Sequence, residues 1–196
     1  MKEIEVEVDF DNSKEEVIKK LSKYDYKGEK EICDIYYYDP LRKNLQPEDD
    51  LRLNEVFRMR KTGNKCYLTY KKQHFDGKLW IYSDEYETVV EDASIIEKII
   101  EMLGLKVLIQ VQNKRRIYVY NEYEIELDDV QGLGTFLEVE RLSNTKDDEK
   151  SIKEEIRTFI RNLNLKNVRE LNIGKNQYLL GKMMGKKINL YNDTKY

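Results

Sequence analysis

Histidine and cysteine, the residues that build most zinc sites, are scarce in this sequence. One histidine and two cysteines occur among 196 residues. Cys33 and Cys66 stand alone, without metal-ligand spacing, and we expect two reduced thiols rather than a disulfide. The single histidine, His74, falls in a predicted turn, where a surface role is expected. The sequence therefore offers no cysteine or histidine cluster for a metal.

Long apolar runs and an excess of charge of one sign are missing as well. No apolar stretch approaches the roughly 20 residues that cross a bilayer, and the opening Met-Lys-Glu-Ile-Glu does not resemble a signal peptide. We therefore expect a cytoplasmic protein that does not bind membranes. The 35 basic residues nearly cancel the 38 acidic ones, which argues against a general nucleic-acid binder because such proteins need an uncompensated basic surface.

Enough apolar residues remain for one folded domain, since 40% of the chain is hydrophobic. We predict a single domain over residues 1–184 and a polar tail over 185–196. Periodicity indicates about eight strands and three or four helices, one of them over 147–163. Turn signals at Gly63, Gly77 and Asn121 join neighbouring strands as hairpins. The pattern predicts an α+β fold with a closed or nearly closed antiparallel β-barrel and helices packed outside.

Charged and apolar residues alternate along several predicted strands. Residues 2–10 follow the two-residue period of a strand, with carboxylates on one side and apolar side chains on the other. For one strand alone, the ordinary interpretation is a solvated polar face. If the sheet closes, however, the charged face becomes the lumen of a tunnel. The alternating charges are Glu3, Glu5, Glu7, Arg58, Arg60, Glu85, Glu87, Glu124, Glu126, Asp128, Glu138 and Glu140.

A tunnel with this lining suits a metal-bound polyanion. Crowded carboxylates repel one another unless cations intervene, and clustered oxygen ligands suit Mg²⁺ or Mn²⁺ rather than zinc. Arginine and lysine on neighbouring strands suit phosphate oxygens. The residues alone thus predict a site for metal and polyphosphate, without specifying a reaction.

Four segments resemble the CYTH family, which unites class IV adenylate cyclases, thiamine triphosphatases and related triphosphate tunnel enzymes. They are residues 3–5 (Glu-Ile-Glu), 57–60 (Phe-Arg-Met-Arg), 67–71 (Tyr-Leu-Thr-Tyr-Lys) and 127–140. The last is the most specific and looks like the class IV cyclase branch. The resemblance covers roughly residues 1–180 and implies an antiparallel β-tunnel.

The resemblance also implies roles for individual residues. One or two Mg²⁺ or Mn²⁺ ions would be held by Glu3, Glu5, Asp128, Glu138 and Glu140, with Glu85, Glu87 and Glu126 as possible additional ligands. The triphosphate would be bound by Arg58, Arg60, Lys71 and Arg115. The sequence does not show which face of this strand points into the lumen, so the residues alone equally allow Lys114 and Arg116 as the phosphate-binding side chains. In relatives the C-terminal helix can plug one tunnel end, and here it would carry Tyr178 and Lys182.

Two positions depart from the family pattern. The opening motif of the family is Glu-x-Glu-x-Lys, whereas position 7 here is Glu7, and a lysine usual two residues before Arg115 is Asn113. The first change reverses a charge beside the expected phosphate site. Glu7 is therefore a candidate base or an additional metal ligand.

The leading hypothesis is metal-dependent hydrolysis of a small-molecule triphosphate: inorganic tripolyphosphate, thiamine triphosphate or a nucleoside triphosphate. Arg58 and Arg60 would stabilise the developing charge, and Glu7 would act as the base. One alternative is cyclisation of ATP to cyclic AMP and pyrophosphate, and another is a non-catalytic binder of nucleotides or polyphosphate. A monomer and a homodimer are both compatible with the sequence.

Overall fold

The computed structural model describes residues 2–143 and 148–196 of the chain. Nine strands occur within these residues: β1 Lys2–Asp9, β2 Asp25–Tyr38, β3 Glu55–Thr62, β4 Lys65–Asp76, β5 Leu79–Val90, β6 Lys106–Tyr120, β7 Tyr123–Val130, β8 Gly134–Ser143 and β9 Arg169–Glu170. The α-helices are α1 Lys14–Leu21, α2 Ala93–Met102, α3 Glu149–Arg161 and α4 Lys175–Met184. None of the helices in these two ranges is both long and apolar enough to span a membrane.

The first eight strands close into an antiparallel barrel. They follow the order β5-β4-β3-β2-β6-β7-β8-β1, and β1 pairs again with β5 through Lys2↔Asp84 and Glu3↔Ser83. The two-residue strand β9 adds to the far end of β1, where Val8 faces Glu170. The predicted α+β fold with a closed antiparallel barrel is confirmed.

Local sequence signals explain where several elements begin and turn. Ser13 caps α1 in a reciprocal capping box with Glu16, and the Asp92 side chain accepts from backbone amides at the start of α2. Asn121 adopts a left-handed φ of 53° between β6 and β7, where asparagine is tolerated. Gly77 does the same between β4 and β5 with a φ of 60°.

The apolar face of the barrel is covered from outside. The outward side chains of β1, β7 and β8 pack under α1 and α3, where Val17, Leu21 and Ile156 are fully buried. Burying one such side chain contributes about 1.5–3 kcal/mol. A second cluster joins Met59 of β3 to Ile100 of α2. Because apolar residues point outward to helices, the alternating charged residues of β1, β7 and β8 point into the barrel.

The structure departs from the predicted elements in a few places. β2 begins at Asp25 rather than at residue 30, and the loop after it contains a short 3-10 helix at Lys43–Leu45. Strand β9 was not predicted. The helix predicted over 147–163 corresponds to α3, and residue 147 lies outside the described residues. Residues 190–196 run back over the domain, where Tyr191 bridges to Leu171 and Tyr196 donates to Glu170.

Candidate functional site

The barrel encloses a charged cavity with an empty volume of about 850 Å³, including the part that opens to solvent. Basic side chains of β3, β4 and β6 face carboxylates of β1 and β8 across it. Of the residues predicted for the site, those that line the cavity are Glu5, Glu7, Arg58, Arg60, Lys71, Arg115 and Glu138. The segment 174–177 at the start of α4 also lines the cavity, so this helix covers one end of the lumen.

Two groups of carboxylates share Glu138. The first acidic cluster consists of Glu3, Glu5, Glu138 and Glu140, and the second acidic cluster consists of Glu126, Asp128 and Glu138. Within each cluster, one oxygen from every member lies within 4.8 Å of the others. Strand register produces this proximity, because Glu140 pairs with Glu5 on β1 and Glu138 pairs with Glu126 on β7. The structure therefore divides the five predicted metal ligands between two clusters that share Glu138, with Asp128 only in the second.

The first acidic cluster holds more negative charge than its neighbours balance. Burial raises the pKa of both Glu5 and Glu140 well above the ordinary value, and repulsion by neighbouring carboxylates adds to the effect. Burial alone would also raise the pKa of Glu3, but Lys71 Nζ lies 2.5 Å from its Oε2 and lowers that pKa instead. Closely spaced carboxylates whose charges repel are a donor set that fits a hard divalent ion. The residues present thus fit Mg²⁺ or Mn²⁺.

The second acidic cluster is already contacted by protein cations. Arg115 donates from Nε and Nη2 to Asp128, both at 2.7 Å, and it also contacts Glu126 and Glu138. Of the three basic residues at positions 114–116, Arg115 is the one whose side chain points into the lumen. Lys114 and Arg116 lie on the other face, where they contact Glu29 at 2.9 and 2.7 Å.

Sequence reasoning missed Lys175, the first residue of α4. Its Nζ lies 2.5 Å from Asp128, 2.5 Å from Glu138 and 2.9 Å from Glu7. The side chain is only 11% exposed. The sequence predicts a short helix only from about Tyr178, so Lys175 lies before it and carries no periodic signal; the packing of α4 on the barrel end brings it into the lumen.

Sequence reasoning also missed Asp34, which holds the arginines of β3. Arg60 donates to its carboxylate through Nε and Nη2, at 2.7 and 2.8 Å, and Arg58 Nη1 lies 3.7 Å away. Burial opposes ionisation of Asp34, yet the two arginines lower its pKa to about 2. This fixed carboxylate orients both guanidinium groups in the lumen.

Two of the three additional predicted residues, Glu85 and Glu87, lie on β5 and contact the basic side of the lumen. Arg58 Nη2 lies 3.7 Å from Glu85 and 3.4 Å from Glu87, and Lys71 lies 3.5 Å from Glu85. Burial raises the pKa of Glu85 to about 7, although Lys71 opposes the rise. Neither residue belongs to the two acidic clusters, which contain Glu126 but not this pair.

Glu7 lies beside the second acidic cluster. Burial raises its pKa to about 7, while Lys175 opposes the rise and Glu138 adds to it. Burial likewise raises the pKa of Glu126 to about 8. A carboxyl that titrates near neutral pH can accept a proton under ordinary conditions. Where the family motif has a lysine on β1, this chain has the carboxyl of Glu7, which forms an ion pair with Lys175.

Other candidate residues have structural surroundings. His74 lies outside the cavity lining, where its ring stacks on Tyr82 at 4.3 Å and Nε2 is 2.8 Å from Asp84. Tyr178 packs edge-on against Phe136 near the covered end of the lumen. Lys182 donates to the Gly132 carbonyl oxygen at 2.6 Å.

Comparison with known proteins agrees with the geometry of the barrel. The family model for the CYTH domain matches residues 1–172. The chain belongs to the CYTH family. This CYTH protein is 28% identical over 166 residues to the Methanocaldococcus jannaschii protein named "Putative adenylate cyclase MJ0240", a match over 84% of this chain and 91% of the relative.

Two solved archaeal structures have the same fold. The PH1819 protein of Pyrococcus horikoshii OT3 superposes with a TM-score of 0.77 at 27% identity, over 92% of this chain and 99% of that one. The PH1012 protein of the same organism gives a TM-score of 0.68 at 28% identity, over 84% and 92%. Lys175 lies beyond the last residue matched by the family model.

Proposed function

We propose that this CYTH protein binds a small-molecule triphosphate in its tunnel together with Mg²⁺ or Mn²⁺ and hydrolyses its terminal phosphate. The observation that supports this most strongly is the opposition of two charge sets in one lumen. The first acidic cluster lies on β1 and β8, whereas Arg58 and Arg60 project from β3. A metal–triphosphate complex satisfies both sets at once.

In this proposal the first acidic cluster would hold the divalent metal, which would supply Lewis-acid charge to the phosphate. Arg58 and Arg60 are positioned by Asp34 and bind the phosphate chain with Lys71 and Arg115. Their fixed donors stabilise charge that develops on the equatorial oxygens.

Glu7 is the proposed general base. Its pKa of about 7 leaves a substantial fraction of the carboxyl deprotonated at neutral pH. The carboxylate takes a proton from water as the water oxygen bonds to the γ-phosphorus. The bond from that phosphorus to its bridging oxygen breaks, and the remaining diphosphate leaves with the electron pair.

Cyclisation of ATP is a second candidate, because the archaeal relative that is 28% identical bears a cyclase name. In that reaction the ribose 3′-oxygen attacks the α-phosphorus and pyrophosphate leaves. Phe75 and Trp80 line the cavity together with the phosphate-binding candidates, and aromatic rings of this kind can contact a base.

Product analysis distinguishes the candidates. Tripolyphosphate, thiamine triphosphate and ATP are offered separately with Mg²⁺ or Mn²⁺ to the wild type, to Glu138→Gln and to Glu101→Gln. Glu101 is a matched control because it lies exposed on α2. We expect orthophosphate from the wild type and from the control, and loss of release in Glu138→Gln.

Other products would contradict hydrolysis. Cyclic AMP with pyrophosphate would identify a cyclase instead. Metal-dependent binding of all three compounds without turnover would identify a binding protein. Orthophosphate release that persists in Glu138→Gln would exclude the tunnel as the active site.

A further inference from the structure

Lys175 brings a positive charge into the second acidic cluster from outside the barrel. The three shortest contacts of its ammonium group are with Asp128, Glu138 and Glu7, on β7, β8 and β1. The ammonium group donates hydrogen bonds to Asp128 and Glu138, and it forms an ion pair with Glu7 at 2.9 Å. Lys175 is therefore bound as a cation in a cage of oxygen atoms, at the place where a divalent ion could be coordinated.

Arg115 adds a second fixed positive charge to this cluster. Its guanidinium contacts all three members, including the two Asp128 oxygens at 2.7 Å. Within the described residues, four carboxylates, those of Glu7, Glu126, Asp128 and Glu138, thus meet two fixed positive charges. A divalent ion entering here has to compete with two tethered cations for Asp128 and Glu138.

The first acidic cluster differs from the second. Of the ion pairs found within residues 2–143 and 148–196, Lys71 contacts this cluster at Glu3, whereas Arg115 and Lys175 contact it through the shared Glu138. Glu5 and Glu140 face each other across the β1–β8 ladder. Because the ion pairs of the described residues involve neither Glu5 nor Glu140 directly, both carboxyls are available to coordinate a metal.

We propose that Lys175 takes the place of a second divalent ion, so that the protein binds a single ion, at the first acidic cluster. The inference rests on the proposed metal-dependent function. It also accounts for Glu7, because this carboxylate on β1 forms an ion pair with the ammonium group at 2.9 Å. The positive charge that the Glu-x-Glu-x-Lys motif would place on β1 is thus supplied here by Lys175 of α4.

The test is the number of Mn²⁺ ions bound by the full-length protein without substrate, measured by isothermal titration calorimetry and by electron paramagnetic resonance of free Mn²⁺. We expect one ion for the wild type and two for Lys175→Met, because removal of the ammonium group leaves Arg115 alone, among the described residues, to balance the charge of these carboxylates. Lys175→Arg keeps the charge and should still bind one ion. Lys182→Met is the matched control, since Lys182 lies exposed on the same helix, and it should also bind one.

A charge relocation tests the explanation directly. Glu7→Lys combined with Lys175→Met puts the lysine on β1, and we expect the stoichiometry to return to one. Circular dichroism verifies that each variant is folded. Two ions bound by the wild type, or one ion bound by folded Lys175→Met, would overturn the inference.

The wild-type stoichiometry is decisive even where a variant does not fold. Two ions together with Glu138-dependent turnover would overturn the inference and leave the proposed function standing. No bound ion and no metal-dependent turnover would overturn the proposed function and the inference with it.

Discussion

The metal-free protein should lose stability as the pH rises through neutrality. Glu7 and Glu85 have pKa values raised to about 7, and Glu126 has one raised to about 8. A raised carboxyl pKa means that the folded state binds more protons than the unfolded state above about pH 4.5. Stability is therefore greatest on the acidic side of this window and falls until the pH passes about 8.

The size of the effect follows from one of these groups. Raising the pKa of Glu7 from 4.5 to about 7 corresponds to a free-energy change of unfolding on the order of 3 kcal/mol. Because these carboxyls interact, their contributions to the free energy of unfolding do not add. The value of about 3 kcal/mol for Glu7 therefore serves as the scale for the three carboxyls together. For a chain of this length, about 3 kcal/mol lowers the melting temperature by roughly 6–12 °C.

Divalent metal should reverse the loss. Metal binding at the first acidic cluster requires deprotonated Glu5 and Glu140, whose pKa values are raised, so it stabilises the protein most at the alkaline end. At a free metal concentration of about 100 times Kd, the gain is about 2.7 kcal/mol. Added Mg²⁺ or Mn²⁺ should therefore restore most of the melting temperature near pH 8 and little of it near pH 5.

Scanning calorimetry between about pH 5 and pH 8, with EDTA and with Mg²⁺, measures both effects. Glu7→Gln removes one titrating carboxyl and should flatten the metal-free profile, while Glu101→Gln on α2 should leave it unchanged. A melting temperature that stays constant or rises with pH in EDTA would refute the reasoning. So would equal stabilisation by Mg²⁺ at both ends of the range.

Three further outcomes test the supports of the site and the fold. Asp34→Asn weakens the bidentate contact that holds Arg60, so the KM for tripolyphosphate should rise about tenfold with a smaller change in kcat; steady-state kinetics that show an unchanged KM would contradict this. Ile156→Ala leaves a cavity under the barrel wall and should cost about 2–5 kcal/mol in urea unfolding, and a loss below that range would mean that α3 repacks. Ser13→Ala removes the α1 capping box and should lower the free energy of unfolding in urea by about 1 kcal/mol. An unchanged free energy of unfolding would mean that water replaces the hydroxyl as the cap.

The barrel could be predicted from the sequence because its strands carry a strict two-residue period. In β1, β7 and β8 the carboxylates alternate with side chains that are fully buried, such as Val6, Leu127 and Leu137. A closed sheet with helices outside is the arrangement that buries the apolar face and still solvates or pairs the charges. The extra pairing of β1 with β5 rests on only two residue pairs, which no local pattern specifies.

Asp34 and Lys175 could not be found in the same way. Asp34 lies between Ile32 and Tyr36 on the lumen face of β2, so this strand shows apolar side chains on both faces and no charge alternation. Lys175 depends on the tertiary position of α4, and it is 168 residues in sequence from Glu7. Both residues act through long-range pairing with charges that the sequence analysis did identify.

The distribution of fixed charges implies an order of events in the proposed function. Arg60 is held by Asp34, and Arg115 by Asp128, so these guanidinium groups are already oriented before a phosphate arrives. The first acidic cluster, in contrast, contains Glu5 and Glu140, whose raised pKa favours the neutral form as long as no cation is bound. A metal ion that displaces their protons would convert them to ligands, so in the proposed function the ion enters before the triphosphate or together with it. The tunnel is therefore organised for phosphate on its basic side and is completed by metal on its acidic side.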